Sequence, residues 1–161
     1  MIIDVTVNGV PRHLKSRSGD RLVDMLRKEL KLLSLSPDCL QGRCGKCLVF
    51  MDGRIVHSCL VPAFKARATT ILTFEAIAKN PEVKDIEKAF QITQTQPCPF
   101  CRSAKIMAIF DLLSRIPLPG EEDILEALDM VSCPCSDPLG LIQAVKLAAE
   151  LRNKRKFSRE A

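Results

Sequence analysis

Eight cysteines are the residues of this 161-residue sequence whose type and spacing point most directly to chemistry. The first group of four has intervals of four, two and eleven residues and consists of Cys39, Cys44, Cys47 and Cys59. A C-x4-C-x2-C…C spacing is typical of plant-type [2Fe–2S] sites. One tight loop can bring three thiolates to a compact cluster while a separate strand supplies the fourth. We therefore predict that these four sulfurs hold one [2Fe–2S] cluster.

Two glycines, Gly42 and Gly45, separate the ligands of this loop. A side chain at either position would crowd the cluster or forbid the backbone conformation that the tight loop needs. Disulfides are disfavoured because residues 1–4 show no sign of a signal peptide. Structural zinc is disfavoured because it prefers two close pairs of cysteines, whereas this group is three plus one.

The second group consists of two close pairs, Cys98 with Cys101 and, 31 residues later, Cys133 with Cys135. By spacing alone, two such pairs could also bind zinc. Each pair falls just before a predicted helix, so that two positive helix ends would face the negative charge of a thiolate cluster. This placement favours a second cluster, with zinc as the open alternative.

The elements that must position the first group are strands around one helix. Residues 3–7 alternate apolar and polar side chains, and Asn8–Gly9 is a strong hairpin signal. A helix with Asp20 as its N-cap would carry an apolar stripe from Leu22 to Leu33. The predicted strands are residues 3–7, Val10–Lys15, Cys47–Met51, Arg54–His57 and Thr70–Phe74.

The elements around the second group are helical. Asn80–Pro81 and Asp137–Pro138 each combine a capping side chain with proline at the first helical position. The first predicted helix begins at Pro81. The other three span about Cys101–Arg115, Glu121–Met130 and Leu139 to about Arg152. The predicted fold is α+β: an N-terminal β-grasp ferredoxin-like domain, residues 1–76, followed by a C-terminal four-helix-bundle [2Fe–2S] domain, residues 77–161.

The two cysteine motifs together resemble those of a known family. Cys39-Leu-Gln-Gly-Arg-Cys-Gly-Lys-Cys47 with Ser58–Leu60, and Cys98-Pro-Phe-Cys101 with Cys133 and Cys135, are similar to motifs of one class of iron–sulfur subunit. That class is the small [2Fe–2S] subunit of xanthine dehydrogenase, aldehyde oxidase and carbon monoxide dehydrogenase, which are molybdenum hydroxylases. The resemblance covers nearly the whole chain and implies that all eight cysteines bind two [2Fe–2S] clusters.

The resemblance also implies a function in electron transfer. Electrons would pass from the molybdopterin centre of a large partner subunit to FAD on another subunit or to another acceptor. Neither molybdopterin nor FAD would bind to this chain, which would be the non-catalytic part of an oxidoreductase. In agreement, the sequence has no pair of carboxylates arranged for acid–base catalysis and no glycine-rich phosphate loop, and we predict no catalytic residue.

The second motif departs from the family pattern at three places while keeping its four cysteines. Pro97 stands where relatives have Gln, Arg102–Ala104 replaces Thr-Pro-Gly, and Pro134 replaces an Arg between the last two cysteines. The missing Arg charge predicts a lower reduction potential for this cluster. His57, two residues before Cys59, is a conceivable mixed ligand, but four cysteines at the right spacing disfavour it.

Composition excludes several other classes of function. The net charge is +5, but no Trp or Tyr is present to stack bases, and nucleic-acid binding is not expected. No apolar run reaches the roughly 18 residues of a membrane span. We expect a cytoplasmic protein whose basic tail, from Arg152 to Arg159, is a solvated and frayed terminus.

Two other classes of function remain open on the sequence. A stand-alone iron–sulfur redox sensor or regulator would use the same clusters without a molybdopterin partner. A zinc-stabilised interaction module would use the same cysteines without any redox chemistry.

Overall fold

A computed structural model describes residues 1–160, apart from the side chain of Glu160. These residues form two compact units, Met1–Ile77 and a second that begins at Ala78. Among the described residues, no helix is both long and apolar enough to cross a membrane.

The first unit is a five-stranded sheet with one main helix. Its strands lie in the order β2-β1-β5-β3-β4. The strands are β1 (Ile2–Val7), β2 (Val10–Lys15), β3 (Leu48–Met51), β4 (Arg54–His57) and β5 (Thr70–Leu72). The helices are α1 (Leu22–Leu30), a 3-10 turn (Ala63–Ala66) and the short α2 (Phe74–Ile77). The two short helices were not predicted.

The sheet joins two antiparallel hairpins through β5, which pairs parallel with β1 and antiparallel with β3. In the first hairpin Val7 lies opposite Val10, and Asn8 and Gly9 turn the chain with φ of +52° and +80°. The buried side chains of β1, among them Ile3 and Val5, pack with those of α1 in a single core. This arrangement confirms the predicted β-grasp domain.

The beginning and end of α1 differ from the prediction. Its N-cap is Arg21, and the carboxylate of Asp20 instead accepts a hydrogen bond from the backbone N–H of Arg17 at 2.8 Å. Lys31 ends the helix in the left-handed conformation, with φ of +54°. Leu33, predicted to continue the apolar stripe, lies beyond this end and is 75% exposed.

The second unit consists of four long helices, which confirms the predicted helical domain. They are α3 (Pro81–Thr93), α4 (Arg102–Arg115), α5 (Glu121–Asp129) and α6 (Pro138–Glu160). Helix α3 packs against α4 and α6, and α5 packs against the same two helices. Both predicted caps are present: Asn80 accepts from the N–H of Glu82 at 2.9 Å, and Asp137 accepts from that of Gly140 at 2.8 Å.

The basic tail is part of α6 and is largely paired with acidic residues of α3. Arg152 is 6% exposed and donates to Glu82 at 3.0 Å, and Arg155 donates to Asp85 at 2.9 Å. Lys156 adds a second ion pair to Glu82 at 3.1 Å. The predicted frayed terminus is therefore wrong for these residues, because α6 continues along α3 and brings its cations onto acidic partners.

Candidate metal centres

The first cysteine loop connects α1 to β3 and is anchored at its end by the β3–β4 hairpin. Leu48 lies opposite His57 in this hairpin, which places Cys47 opposite Ser58. The backbone N–H and the hydroxyl of Ser58 both donate to the carbonyl of Cys47, at 3.1 and 2.6 Å. Strand pairing thus brings Cys59 beside Cys47 although eleven residues separate them in the sequence.

The loop directs backbone donors at the first sulfur. Cys39 Sγ accepts the N–H groups of Gln41, Arg43 and Cys44 at 3.3, 3.2 and 3.2 Å. These hydrogen bonds, that of Gln41 first among them, lower the pKa of Cys39 to about 6. The loop is therefore shaped to stabilise a thiolate, which is the form that binds iron.

Gly42 and Gly45 give the loop its tight curvature, as predicted from their positions. Both have positive φ, +74° and +71°. A Cβ atom on Gly42 would lie 2.6 Å from Cδ1 of Leu60, the residue after the fourth cysteine. The loop therefore packs against the segment that carries Cys59 without room for a larger residue.

The other three sulfurs of this group are buried. Cys44, Cys47 and Cys59 are 8%, 1% and 4% exposed, whereas Cys39 is half-buried. Burial raises the pKa of Cys47 to about 12. A buried thiolate needs a compensating positive charge, and the iron of a cluster would supply it. The donor set, all sulfur, is the set that a [2Fe–2S] cluster requires.

Three sulfur atoms of the second cysteine group lie close together. The Sγ atoms of Cys98, Cys101 and Cys133 all lie within 4.8 Å of one another, and those of Cys98 and Cys133 are 3.6 Å apart. The backbone N–H of Cys101 donates to the carbonyl of Cys98 at 3.0 Å in the turn that begins α4. Cys133 comes from the loop between α5 and α6. Cys135, in the same loop, is exposed and lies outside this three-sulfur group.

The sulfurs of the second group differ in their electrostatic surroundings. Burial raises the pKa of Cys101 to about 12. Burial also acts on Cys133, but hydrogen bonds, the first from the Ser136 hydroxyl, outweigh it and lower the pKa of this thiol to about 6. The pKa of Cys135 is raised, mainly by the charge of Cys98. The sulfur of Cys135 therefore interacts electrostatically with the three-sulfur group.

Residues around the second group include one that the sequence did not single out. Lys105, on α4, is 5% exposed and lines a cavity of about 330 Å³ together with Cys133 and Pro134. The signal available was a lysine in an otherwise apolar stretch, four residues after Cys101. Arg102, in contrast, turns to Glu87 at 2.6 Å.

His57 has no metal-binding geometry among the described residues. Its Nδ1 atom is buried and has no hydrogen-bond partner there, and burial lowers its pKa. It is not part of the group formed by Cys98, Cys101 and Cys133. The lowered pKa favours the neutral ring, which lies at the end of β4, opposite Leu48.

Both halves of the chain match domain families that bind iron–sulfur clusters. Residues 5–73 match a family described as a 2Fe-2S iron-sulfur cluster binding domain, and residues 73–146 match a [2Fe-2S] binding domain. One subunit of the nicotinate dehydrogenase of Pseudomonas putida is 33% identical over 152 residues, which cover 94% of this chain and 97% of that protein. This chain belongs to the family of small iron–sulfur subunits of molybdenum hydroxylases.

Two further comparisons agree with this family assignment of the iron–sulfur protein. One subunit of the probable xanthine dehydrogenase of Bacillus subtilis is 31% identical, over 96% of this chain and 89% of that protein. Quinoline 2-oxidoreductase from Pseudomonas putida 86 has a similar fold, with a TM-score of 0.84, 28% identity and coverage of 95% and 96% of the two chains.

A relative with a longer chain shows the same two domains as part of a larger protein. The aldehyde oxidoreductase of Desulfovibrio gigas has a TM-score of 0.83 and 28% identity over 96% of this iron–sulfur subunit, but only 17% of that chain. The family and fold predicted from the cysteine motifs are confirmed, and the subunit contains two [2Fe–2S] binding domains.

Proposed function

We propose that the chain binds two [2Fe–2S] clusters, one in each domain, with residues 1–76 and 77–161 as the two domains. The ligands of the first would be Cys39, Cys44, Cys47 and Cys59, and those of the second Cys98, Cys101, Cys133 and Cys135. The observation that carries this proposal is that the first domain directs backbone N–H groups at the sulfur of Cys39, and that the second brings the sulfurs of Cys98, Cys101 and Cys133 together. Each cluster would accept and release one electron.

The chain would relay electrons between two partner subunits and perform no substrate chemistry itself. The donor would be the molybdopterin centre of a large subunit. In support, relatives are a subunit of a nicotinate dehydrogenase and the small subunit of a nicotine 6-hydroxylase. The acceptor would be FAD on a further subunit or another redox protein. The cluster of the helical domain would lie nearest the molybdopterin, and the ferredoxin-like cluster would pass electrons outward.

Exposed apolar groups beside the second cysteine group support a protein partner at this end of the helical domain. Phe100, between Cys98 and Cys101, is 75% exposed, and Leu139, at the start of α6, is 67% exposed. Large apolar side chains at the surface often mark an interaction site.

Metal analysis and partner identification test the proposal. The chain purified without oxygen should contain about four iron and about four sulfide, since each cluster holds two of each. Two different EPR signals should appear on reduction, and a molybdopterin-containing chain should co-purify. A colourless protein with zinc would instead support the interaction module. Two clusters without such a partner would support the stand-alone sensor.

A further inference from the structure

Lys105 is a buried cation beside the second cysteine group. It lies on α4, and its ammonium donates a hydrogen bond to the backbone carbonyl of Leu128 at the end of α5. The residue is 5% exposed and lines the same cavity as Cys133. Burial lowers its pKa, while the charges of Cys133, Asp129 and Cys101 act in the opposite direction.

No carboxylate forms an ion pair with Lys105 within the part of the chain that the structure describes. A buried ammonium with a single carbonyl partner is costly, because one neutral hydrogen bond does not replace the hydration that the charge loses. A negative charge nearby would offset this cost and favour the charged form of the lysine. Cys133 lines the same cavity, and the charges of Cys133 and Cys101, or of a cluster that they hold, would act on Lys105.

We propose that the Lys105 ammonium sets the reduction potential of the cluster in the helical domain by stabilising its reduced form. This inference rests on the proposed function, since it needs a [2Fe–2S] cluster at Cys98, Cys101, Cys133 and Cys135. Reduction adds one electron from an external donor to the iron atoms, and no bond forms or breaks. The cluster gains one negative charge, and a fixed positive charge nearby favours that state over the oxidised one.

The position of Lys105 also bears on the departure at Pro134. Where relatives carry an Arg between the last two cysteines, this chain has an exposed proline with neither a charge nor a backbone N–H. Lys105 supplies a positive charge to the same cluster from a helix rather than from the ligand loop. The charge of Lys105 would then oppose the lower potential that Pro134 alone predicts.

A purely structural role for Lys105 predicts a different behaviour. In that case the ammonium only adds a second donor to the carbonyl of Leu128 at the end of α5, which also accepts from the backbone N–H of Val131 at 3.2 Å. Lys105→Gln keeps a donor for that carbonyl and removes the charge. Lys105→Met removes both, and Lys105→Arg keeps both. Comparison of the three variants separates charge from hydrogen bonding.

The experiment is an EPR-monitored redox titration of the full chain with both clusters loaded. In Lys105→Gln the ratio of reduced to oxidised helical-domain cluster at a fixed potential should fall roughly tenfold, which is a shift of about 59 mV for one electron. Lys105→Met should shift the reduction potential as far, and Lys105→Arg should leave it near the wild-type value. The signal of the ferredoxin-like cluster should not move in any variant.

Two further variants complete the design. Lys146→Met removes an exposed lysine of α6, paired with Glu121 at 3.1 Å and outside the cavity, and should leave both potentials unchanged. Asp129→Asn removes an exposed carboxylate that lines the cavity, and should raise the helical-domain potential even if the Lys105 variants fail to fold.

The outcomes distinguish this inference from the proposed function. An unchanged potential in folded Lys105→Gln, a shift in Lys105→Met alone, or an unchanged or lower potential in Asp129→Asn would overturn the role of the charge. A wild-type chain with only one cluster signal would overturn the proposed function, and this inference with it.

Discussion

Arg152 of α6 and Glu82 of α3 form an ion pair in which Nε and Oε1 lie 3.0 Å apart and the arginine side chain is only 7% exposed. Lys156 contacts the same carboxylate at 3.1 Å. Burial alone would raise the pKa of Glu82, but the hydrogen bonds and charges of Lys156 and Arg152 outweigh it and lower this pKa. The basic tail therefore serves to hold α6 on α3.

Glu82→Gln should destabilise the helical domain by about 2–3 kcal/mol, because it leaves the buried guanidinium of Arg152 without its carboxylate. Since the folded-state pKa of Glu82 is lowered from its usual 4.5, the ion-pair contribution is complete at pH 7 and is lost only below that usual value. Urea unfolding at pH 7, followed by circular dichroism, measures the difference. Glu150→Gln, an exposed change on α6, is the control and should have an effect below about 0.5 kcal/mol. Equal stability of the two variants would contradict a structural role for the pair.

Cys44→Ser and Cys133→Ser should each remove one EPR signal and leave the other. Cys44 lies in the first cysteine loop, and Cys133 belongs to the convergent group of the helical unit. Serine has nearly the same size but removes the thiolate ligand, and each small domain would depend on its own cluster. EPR and iron analysis of the two purified variants check this. Loss of both signals in a chain that stays folded would show that the two groups do not act as separate sites.

Gly42→Ala should lower the occupancy of the ferredoxin-like cluster more than Gly53→Ala does. Both glycines have positive φ, +74° and +79°, so an alanine meets a similar backbone cost of about 1–2 kcal/mol at either position. Only at Gly42 would the new Cβ also meet Leu60, at 2.6 Å, whereas nothing lies within 4 Å of a Cβ at Gly53. Iron content and the EPR amplitude of that cluster provide the measurement. Equal losses in the two variants would mean that backbone strain alone matters.

Phe100→Glu should weaken co-purification with the large subunit by tenfold or more while both cluster signals persist. The phenyl ring is 75% exposed and lies between Cys98 and Cys101, two of the proposed ligands, so a charge there would oppose burial in an apolar interface. Quantitative pull-down of the tagged chain gives the ratio of the two subunits. Phe157→Glu, at an equally exposed phenylalanine of α6, is the matched control. A similar complex yield for Phe100→Glu and the control would argue against this face as the interface.

The predicted elements are correct where interactions between neighbouring residues determine the backbone conformation. Asn8–Gly9 turned the first hairpin because these residues tolerate positive φ, and Asn80–Pro81 began α3 because the cap and the proline both favour a helix start. The prediction was wrong for Asp20, whose carboxylate binds the N–H of Arg17 rather than capping α1. Competing local hydrogen bonds of an aspartate are not distinguished by sequence position.

Residue types and intervals by themselves determined the chemistry of this chain: eight cysteines in two groups of four, glycines inside the first loop, and an α+β order of elements around them. These features depend on covalent connectivity and on local backbone preferences, which are readable along the sequence. Only the tertiary structure decided which distant groups meet. The burial of Lys105 beside Cys133 and the pairing of Arg152 with Glu82 follow from helix packing, which brings together residues that are 28 and 70 positions apart. Charge interactions depend on distance and on exclusion of water, and neither quantity exists before the helices pack.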